Sequence, residues 1–120
     1  VNLQVSDIGG PSGGMMFALG IYDQLTPGAL TGGKNIAGTG TVNAEGTVGP
    51  IGGIRQKMYG AQRSGATHFL APIDNCSEVV GHIPTGLTVI SVRNFEEALA
   101  AVETIARGSD LSRLGSCGTK

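Results

Sequence analysis

Two residues of this sequence have the types and settings that nucleophilic catalysis requires. Ser12 lies in the run Asp7-Ile8-Gly9-Gly10-Pro11-Ser12-Gly13-Gly14, and Lys57 closes the run Gly52-Gly53-Ile54-Arg55-Gln56-Lys57. A serine hydroxyl is a poor nucleophile until a neighbouring base takes its proton, and a lysine amine is one recognised base for that task. A free lysine, with a reference pKa of about 10.4, is protonated near neutrality. Desolvation away from carboxylates favours the neutral amine, and Ile54 and Met58 supply apolar neighbours for Lys57. A threonine hydroxyl such as that of Thr39 can hydrogen-bond an amine without adding a counter-charge, wherever the fold sets the two side by side. Taken singly these residues are ordinary: a serine after Gly-Gly-Pro is usually a helix cap, most helix lysines face solvent, and a threonine in a Gly-rich strand often only satisfies a nearby carbonyl. The joint setting of Ser12 and Lys57 points to catalysis.

The glycines around Ser12 let the backbone approach a substrate carbonyl closely, and the N–H groups of Gly10, Ser12 and Gly13 are candidate donors to an oxyanion; Pro11 has none. The implied chemistry is acyl transfer. Ser12 attacks a peptide carbonyl, Lys57 takes its proton and returns it to the leaving amine, and water then resolves the acyl-enzyme with Lys57 again as base.

The elements that must position these groups follow from periodicity. Val1, Leu3 and Val5 alternate with polar residues as a strand with one buried face. Met15, Met16, Leu19, Tyr22 and Leu25 then have helical spacing until Thr26-Pro27-Gly28, so Ser12 falls at or just before a first helical turn, where free N–H groups point outward. The Met15-Met16-Phe17 cluster admits two readings, core beneath the active loop or part of a hydrophobic substrate pocket, of which core with one side chain bordering the cleft is favoured. Residues 36–42 form a small-residue strand, with a reversal at Asn43-Ala44-Glu45-Gly46 and a short strand at Thr47-Val48. Ile51, Ile54, Met58 and Ala61 repeat at helical spacing and Ser64-Gly65 closes the segment, which puts Lys57 at the margin of the buried stripe. Strands over 67–71 and 87–92 flank a turn at 72–75 and a short helix over 77–80. Asn94 caps a last helix through Phe95, Ala98, Leu99, Val102 and Ile105. Glu97 completes a capping arrangement there and lies with Glu96 and Glu103 on the solvated face. The pattern predicts an α/β (α+β) domain with a mixed sheet flanked by helices over residues 1–106, and a flexible tail over 107–120.

Composition closes other routes. At 120 residues the chain fits one domain, and 21 glycines, roughly two to three times the usual share, are scattered without a period, which excludes collagen. Eight basic and nine acidic residues and no basic run leave little footprint for nucleic acid. No stretch has the length of a spanning helix, so no direct membrane insertion by this chain is expected, and its cellular location stays open. Residues 28–35, Gly28-Ala29-Leu30-Thr31-Gly32-Gly33-Lys34-Asn35, approach a phosphate-binding loop, but Asn35 stands where a Ser or Thr metal ligand is needed, so no nucleotide or other cofactor is expected. His68 and His82 lack a metal-ligand spacing, and no metal is expected; His68 reads as structural. Cys76 and Cys117 can pair only if the C-terminal segment folds back, which spacing does not decide. Asn75-Cys76-Ser77 satisfies a glycosylation pattern of the kind that arises often by chance.

In order and with these helical contexts, the two runs resemble the two active-site signatures of the Lon-type serine peptidase domain. The sequence looks most like the Lon-like peptidases in which this domain follows a PDZ domain, without a fused AAA+ module. The resemblance reaches from the first strand to about Ile105 and includes Gly38-Thr39-Gly40. It implies Ser12 as nucleophile, Lys57 as its paired lysine and Thr39 beside that lysine. Gly9 stands where ATP-dependent members usually carry an acidic residue, the nearest carboxylate being Asp7, and Gly13 stands where alanine is frequent. The resemblance further implies the superfold shared with certain ribosomal-protein and DNA-repair domains, with the family's N-terminal strands absent from this chain. Polypeptide substrates, self-assembly into a homo-oligomeric ring, commonly of six, and an upstream PDZ domain are implied likewise. Two other readings remain open: a non-catalytic domain of the same fold that organises assembly or binds polypeptide, and a peptide-binding module using an exposed sheet edge.

Overall fold

Apolar side chains alternate along the main strands, and that alternation decides which helix each strand meets. The computed structural model describes residues 3–4, 14–16, 19 and 35–117. Four strands, β1 (Leu3–Gln4), β2 (Ile36–Gly38), β5 (His68–Pro72) and β6 (Thr88–Val92), form a parallel sheet in the order β1-β2-β5-β6. Two short strands, β3 (Thr41–Val42) and β4 (Val48–Gly49), form a separate antiparallel pair. After β2, the described residues contain three α-helices: α1 (Ile54–Arg63), α2 (Cys76–Val79) and α3 (Phe95–Arg107). The expected mixed architecture flanked by helices is therefore observed, divided between a parallel sheet and an antiparallel pair.

Ile36, Leu70, Ile90 and Val92 point to one face and pack with Met15, Met16, Leu19 and the α3 residues Ala98, Ala101, Val102 and Ile105. Ala37, Phe69, Ala71 and Val89 point to the other, against Ile54, Met58 and Ala61 of α1 and Val79 of α2. Both faces are covered, as a parallel sheet requires. Residues 14–16 and 19 are helical, and their buried methionines belong to the α3-side core, as expected; Phe17 lies outside the described residues. Between the sheet strands, α1 and α2 pack on one face, whereas Met15, Met16 and Leu19, and Val48 of β4, pack on the opposite face with α3.

The strand expected over 36–42 is divided. Its ladder to β5 ends with the Thr39 N–H donating to the Leu70 carbonyl at 3.1 Å, after which the chain leaves the sheet at Gly40 and pairs instead with β4. Gly40 has φ 154°, and a Cβ there would stand 2.9 Å from Val48 Cγ1, so the change of partner depends on its missing side chain. The reversal at 43–46 holds through Asn43, whose Oδ1 accepts the N–H groups of Glu45 at 3.0 Å and Thr47 at 2.9 Å. Strands expected over 67–71 and 87–92, and a helix over 77–80, lie within one residue of β5, β6 and α2.

Asn94 caps α3 by accepting the Glu97 N–H at 2.8 Å, and Gly108 ends the helix in a left-handed conformation. The part of the expected flexible tail that lies in the described residues is packed. Leu111 and Leu114 rest on the α3-side core, the Gly115 carbonyl accepts the Ser91 N–H on the outer edge of β6 at 3.1 Å, and Cys117 forms a disulfide with Cys76. Apolar contacts and a covalent tie, which local periodicity does not reveal, hold this segment in place. Among the described residues no helix is long and apolar enough to cross a membrane.

Candidate active site

Lys57 owes its position to the way α1 is seated. Ile54, Met58 and Ala61, spaced for one helix face, are buried against the sheet. The helix starts without a side-chain cap: Gly53 adopts a left-handed conformation, φ 73°, and its carbonyl accepts the Lys57 N–H at 3.1 Å. Lys57 itself is half-buried, at the margin of the apolar stripe. With Gly60, Ala61 and Ser64, at offsets of three, four and seven, it forms one flank of α1. That flank, with Ala37, Gly38 and Phe69 of the sheet, lines a cleft of about 280 Å³. Three small residues below Lys57 keep the cleft open.

Thr39 follows Gly38 directly and is 2% exposed. Its N–H continues the β2 ladder, so alternation places its side chain on the Ala37 side of the sheet, the side that α1 covers. One residue further, the Gly40 carbonyl accepts the Met15 N–H at 3.0 Å. This bond ties the helical turn at 14–16, which begins two residues after Ser12, to the segment that lines the lysine cleft. Ser12 and the oxyanion candidates Gly10 and Gly13 lie outside the described residues, as do residues 28–34 of the loop that approaches a phosphate-binding pattern. The structure thus brings together Lys57, the Gly38-Thr39-Gly40 segment and the turn after the serine run.

Asn75 is a residue that sequence reading assigned only to a turn and a chance glycosylation triplet. It is 1% exposed, and its side chain makes no cap bond to α2. Instead Oδ1 accepts the Ile51 N–H at 3.0 Å, while Nδ2 donates to the Ile51 carbonyl at 2.9 Å and to Glu78 Oε1 at 2.8 Å. An amide nitrogen engaged in this way is not presented for glycosylation. Nearby, Arg55 Nε donates to the Glu78 carbonyl at 2.8 Å, tying the first turn of α1 to α2. An asparagine directly before a helix signals a cap, and no local pattern points to a partner 24 residues upstream.

His68 is half-buried in β5, its Nδ1 hydrogen-bonded to Thr67 Oγ1 at 2.8 Å, and His82 is exposed. Among the described residues no three His, Cys, Asp or Glu side chains converge as metal ligands.

Sheet, helices and cleft define an α/β domain that presents a lysine from a glycine-initiated helix beside a Gly-Thr-Gly strand end. The chain belongs to the family of the Lon protease C-terminal proteolytic domain, whose sequence model matches residues 6–104. It is 37% identical over 93 residues to Lon protease 2 of Herpetosiphon aurantiacus, a match covering 75% of this chain and 11% of that protein. The Lon protease of Buchnera aphidicola subsp. Schizaphis graminum is likewise 37% identical over 93 residues, with 75% and 12% covered. Lon protease 1 of Bacillus subtilis is 34% identical over 93 residues, again with 75% and 12% covered. The chain thus corresponds to 11 to 12% of the length of these relatives.

Proposed function

We propose that this domain is a serine-type endopeptidase unit in which Ser12 is the nucleophile and Lys57 the general base, with Thr39 orienting the lysine. The observation that carries the reading is the Met15 N–H to Gly40 carbonyl bond of 3.0 Å. It ties the turn after the serine run to the strand end beside the lysine cleft. Membership of the Lon proteolytic family supports the same reading.

In this mechanism the neutral Lys57 amine takes the Ser12 proton as the hydroxyl attacks a peptide carbonyl. Backbone N–H groups of the Gly10-to-Gly13 loop receive the developing oxyanion, the conjugate acid protonates the leaving amine, and water attacks the acyl-enzyme with Lys57 again as base. No step uses a nucleotide, metal or cofactor, and the substrates are polypeptides, presented to a homo-oligomeric ring. In the intact protein, a fluorophosphonate reagent labels the wild type and spares both Ser12→Ala and Lys57→Ala, which also lose peptide hydrolysis. Equal labelling of all three overturns the mechanism. A stoichiometric, magnesium-dependent heat of ATP binding to this domain would overturn the nucleotide-free reading.

A further inference from the structure

We infer that Asn75 is a positioning residue for the lysine helix: its buried amide fixes the Ile51–Gly53 turn from which α1, and with it Lys57, departs. The inference rests on the peptidase reading above. Asn75 engages both backbone groups of Ile51, as a neighbouring strand would, and its remaining N–H is held by Glu78. Apart from this clamp, the turn is held by the Ile51 side chain against the α1-side core, a contact that does not fix its backbone direction. Gly52 and Gly53 carry no side chains, and α1 begins without a side-chain cap. Packing of Ile54, Met58 and Ala61 seats the body of α1, but two glycines leave its first turn loosely specified, so a fixed point just before them bears on the direction in which the helix starts. Asn75 supplies it at Ile51, and the Arg55 to Glu78 carbonyl bond supplies a second tie within the first turn of α1.

The chemistry calls for an amide. Asparagine places one acceptor and two donors in a plane, and all three are used here. Aspartate at this position keeps the acceptor for the Ile51 N–H but turns an oxygen without a proton towards the Ile51 carbonyl and the Glu78 carboxylate. Alanine leaves the Ile51 N–H and carbonyl without this partner. In either variant the fold of the sheet is retained while Lys57 is released from a single orientation.

The test compares Asn75→Ala, Asn75→Asp and Val79→Ala in the intact protein. Val79 is fully buried on the short helix that directly follows Asn75 but belongs to the apolar core, so its truncation loosens α2 without removing the Ile51 clamp. Melting temperature, hydrogen exchange at the Ile51 amide and the pH profile of Ser12 acylation by a fluorophosphonate are measured for each. Both Asn75 variants are expected to lose Ile51 protection and to acylate on the order of tenfold to a hundredfold more slowly, with an altered pH profile, while Val79→Ala acylates within about twofold of wild type. Wild-type acylation in folded Asn75 variants overturns the inference, as does an equal loss in a Val79→Ala protein of equal melting temperature. Should Asn75→Ala not fold, Asn75→Asp carries the same comparison. Labelling of Lys57→Ala at the wild-type rate brings down the peptidase reading itself; normal dependence on Lys57 with no dependence on Asn75 brings down this inference alone.

Discussion

Proton transfer depends on angle as well as distance, so a base on a flexible four-carbon stem gains from a neutral group that holds it. Thr39 is the residue that the proposed mechanism assigns to that task. It is almost fully buried, on the sheet face that α1 covers, in a segment pinned by both Leu70 and Met15. Thr39→Val keeps the shape and removes the hydroxyl, whereas Thr39→Ser keeps the hydroxyl. The expected result is a fall of about tenfold in acylation rate for valine, the worth of one hydrogen bond, and near-normal rates for serine. Equal rates in the two variants would assign the threonine to packing. At this scale, legibility followed chemistry and resemblance: Lys57 and Thr39 stand out as candidates because their side chains suit a reaction and their runs resemble family signatures, whereas Asn75, an ordinary turn residue by type, acts on a partner 24 residues away.

Among the elements, α3 is the one whose start is most fully specified. Asn94 accepts the Glu97 N–H, and the Glu97 carboxylate reaches back to Arg93, accepting from its N–H at 2.8 Å, Nε at 2.9 Å and Nη2 at 2.6 Å. Asn94→Ala is therefore expected to cost about 1 kcal/mol in denaturant unfolding. The side-chain hydrogen bond from Arg93 is the main reason that Glu97 titrates below the ordinary glutamate value, with backbone donation and the Arg93 charge adding to it. A carboxyl so depressed stabilises the fold fully above its unfolded value, about 4.3, and loses that contribution as the pH falls through the lower folded value. The difference in melting temperature between wild type and Glu97→Gln should accordingly be small but constant from neutrality to about pH 5, and shrink below it; a difference that grows in acid would refute the assignment. The same helix shows what periodicity can and cannot supply. Its apolar stripe and cap were legible because both are local. The break of the 36–42 segment was not, because its glycines permit a bend without requiring one, and the partner that stands against Gly40, Val48, lies in a different strand.

For the molecule as a whole, the outer edge of β6 needs a cover, since an unpaired parallel strand is a template for association. Residues 108–117 provide it: the Gly115 carbonyl takes the Ser91 N–H, Leu111 and Leu114 fill the α3 side, and the Cys76–Cys117 disulfide fastens the end to α2. The bridged residues are 41 apart in sequence, so the closed loop restricts the unfolded chain substantially, and its removal is expected to cost about 2–4 kcal/mol. Because Cys76 adjoins Asn75, the same bond stands next to the clamp on the lysine helix, yet Asn75 holds Ile51 through its own amide and not through the sulfur. The two effects should therefore separate. A Cys76→Ser/Cys117→Ser protein is expected to unfold at lower denaturant concentration and to exchange the Ser91 amide faster, with the Ile51 amide still protected. Loss of protection at both amides would mean that the C-terminal strap and the base helix form one cooperative unit, whereas an unchanged unfolding midpoint would mean that the apolar contacts of Leu111 and Leu114 hold the strap without the bond.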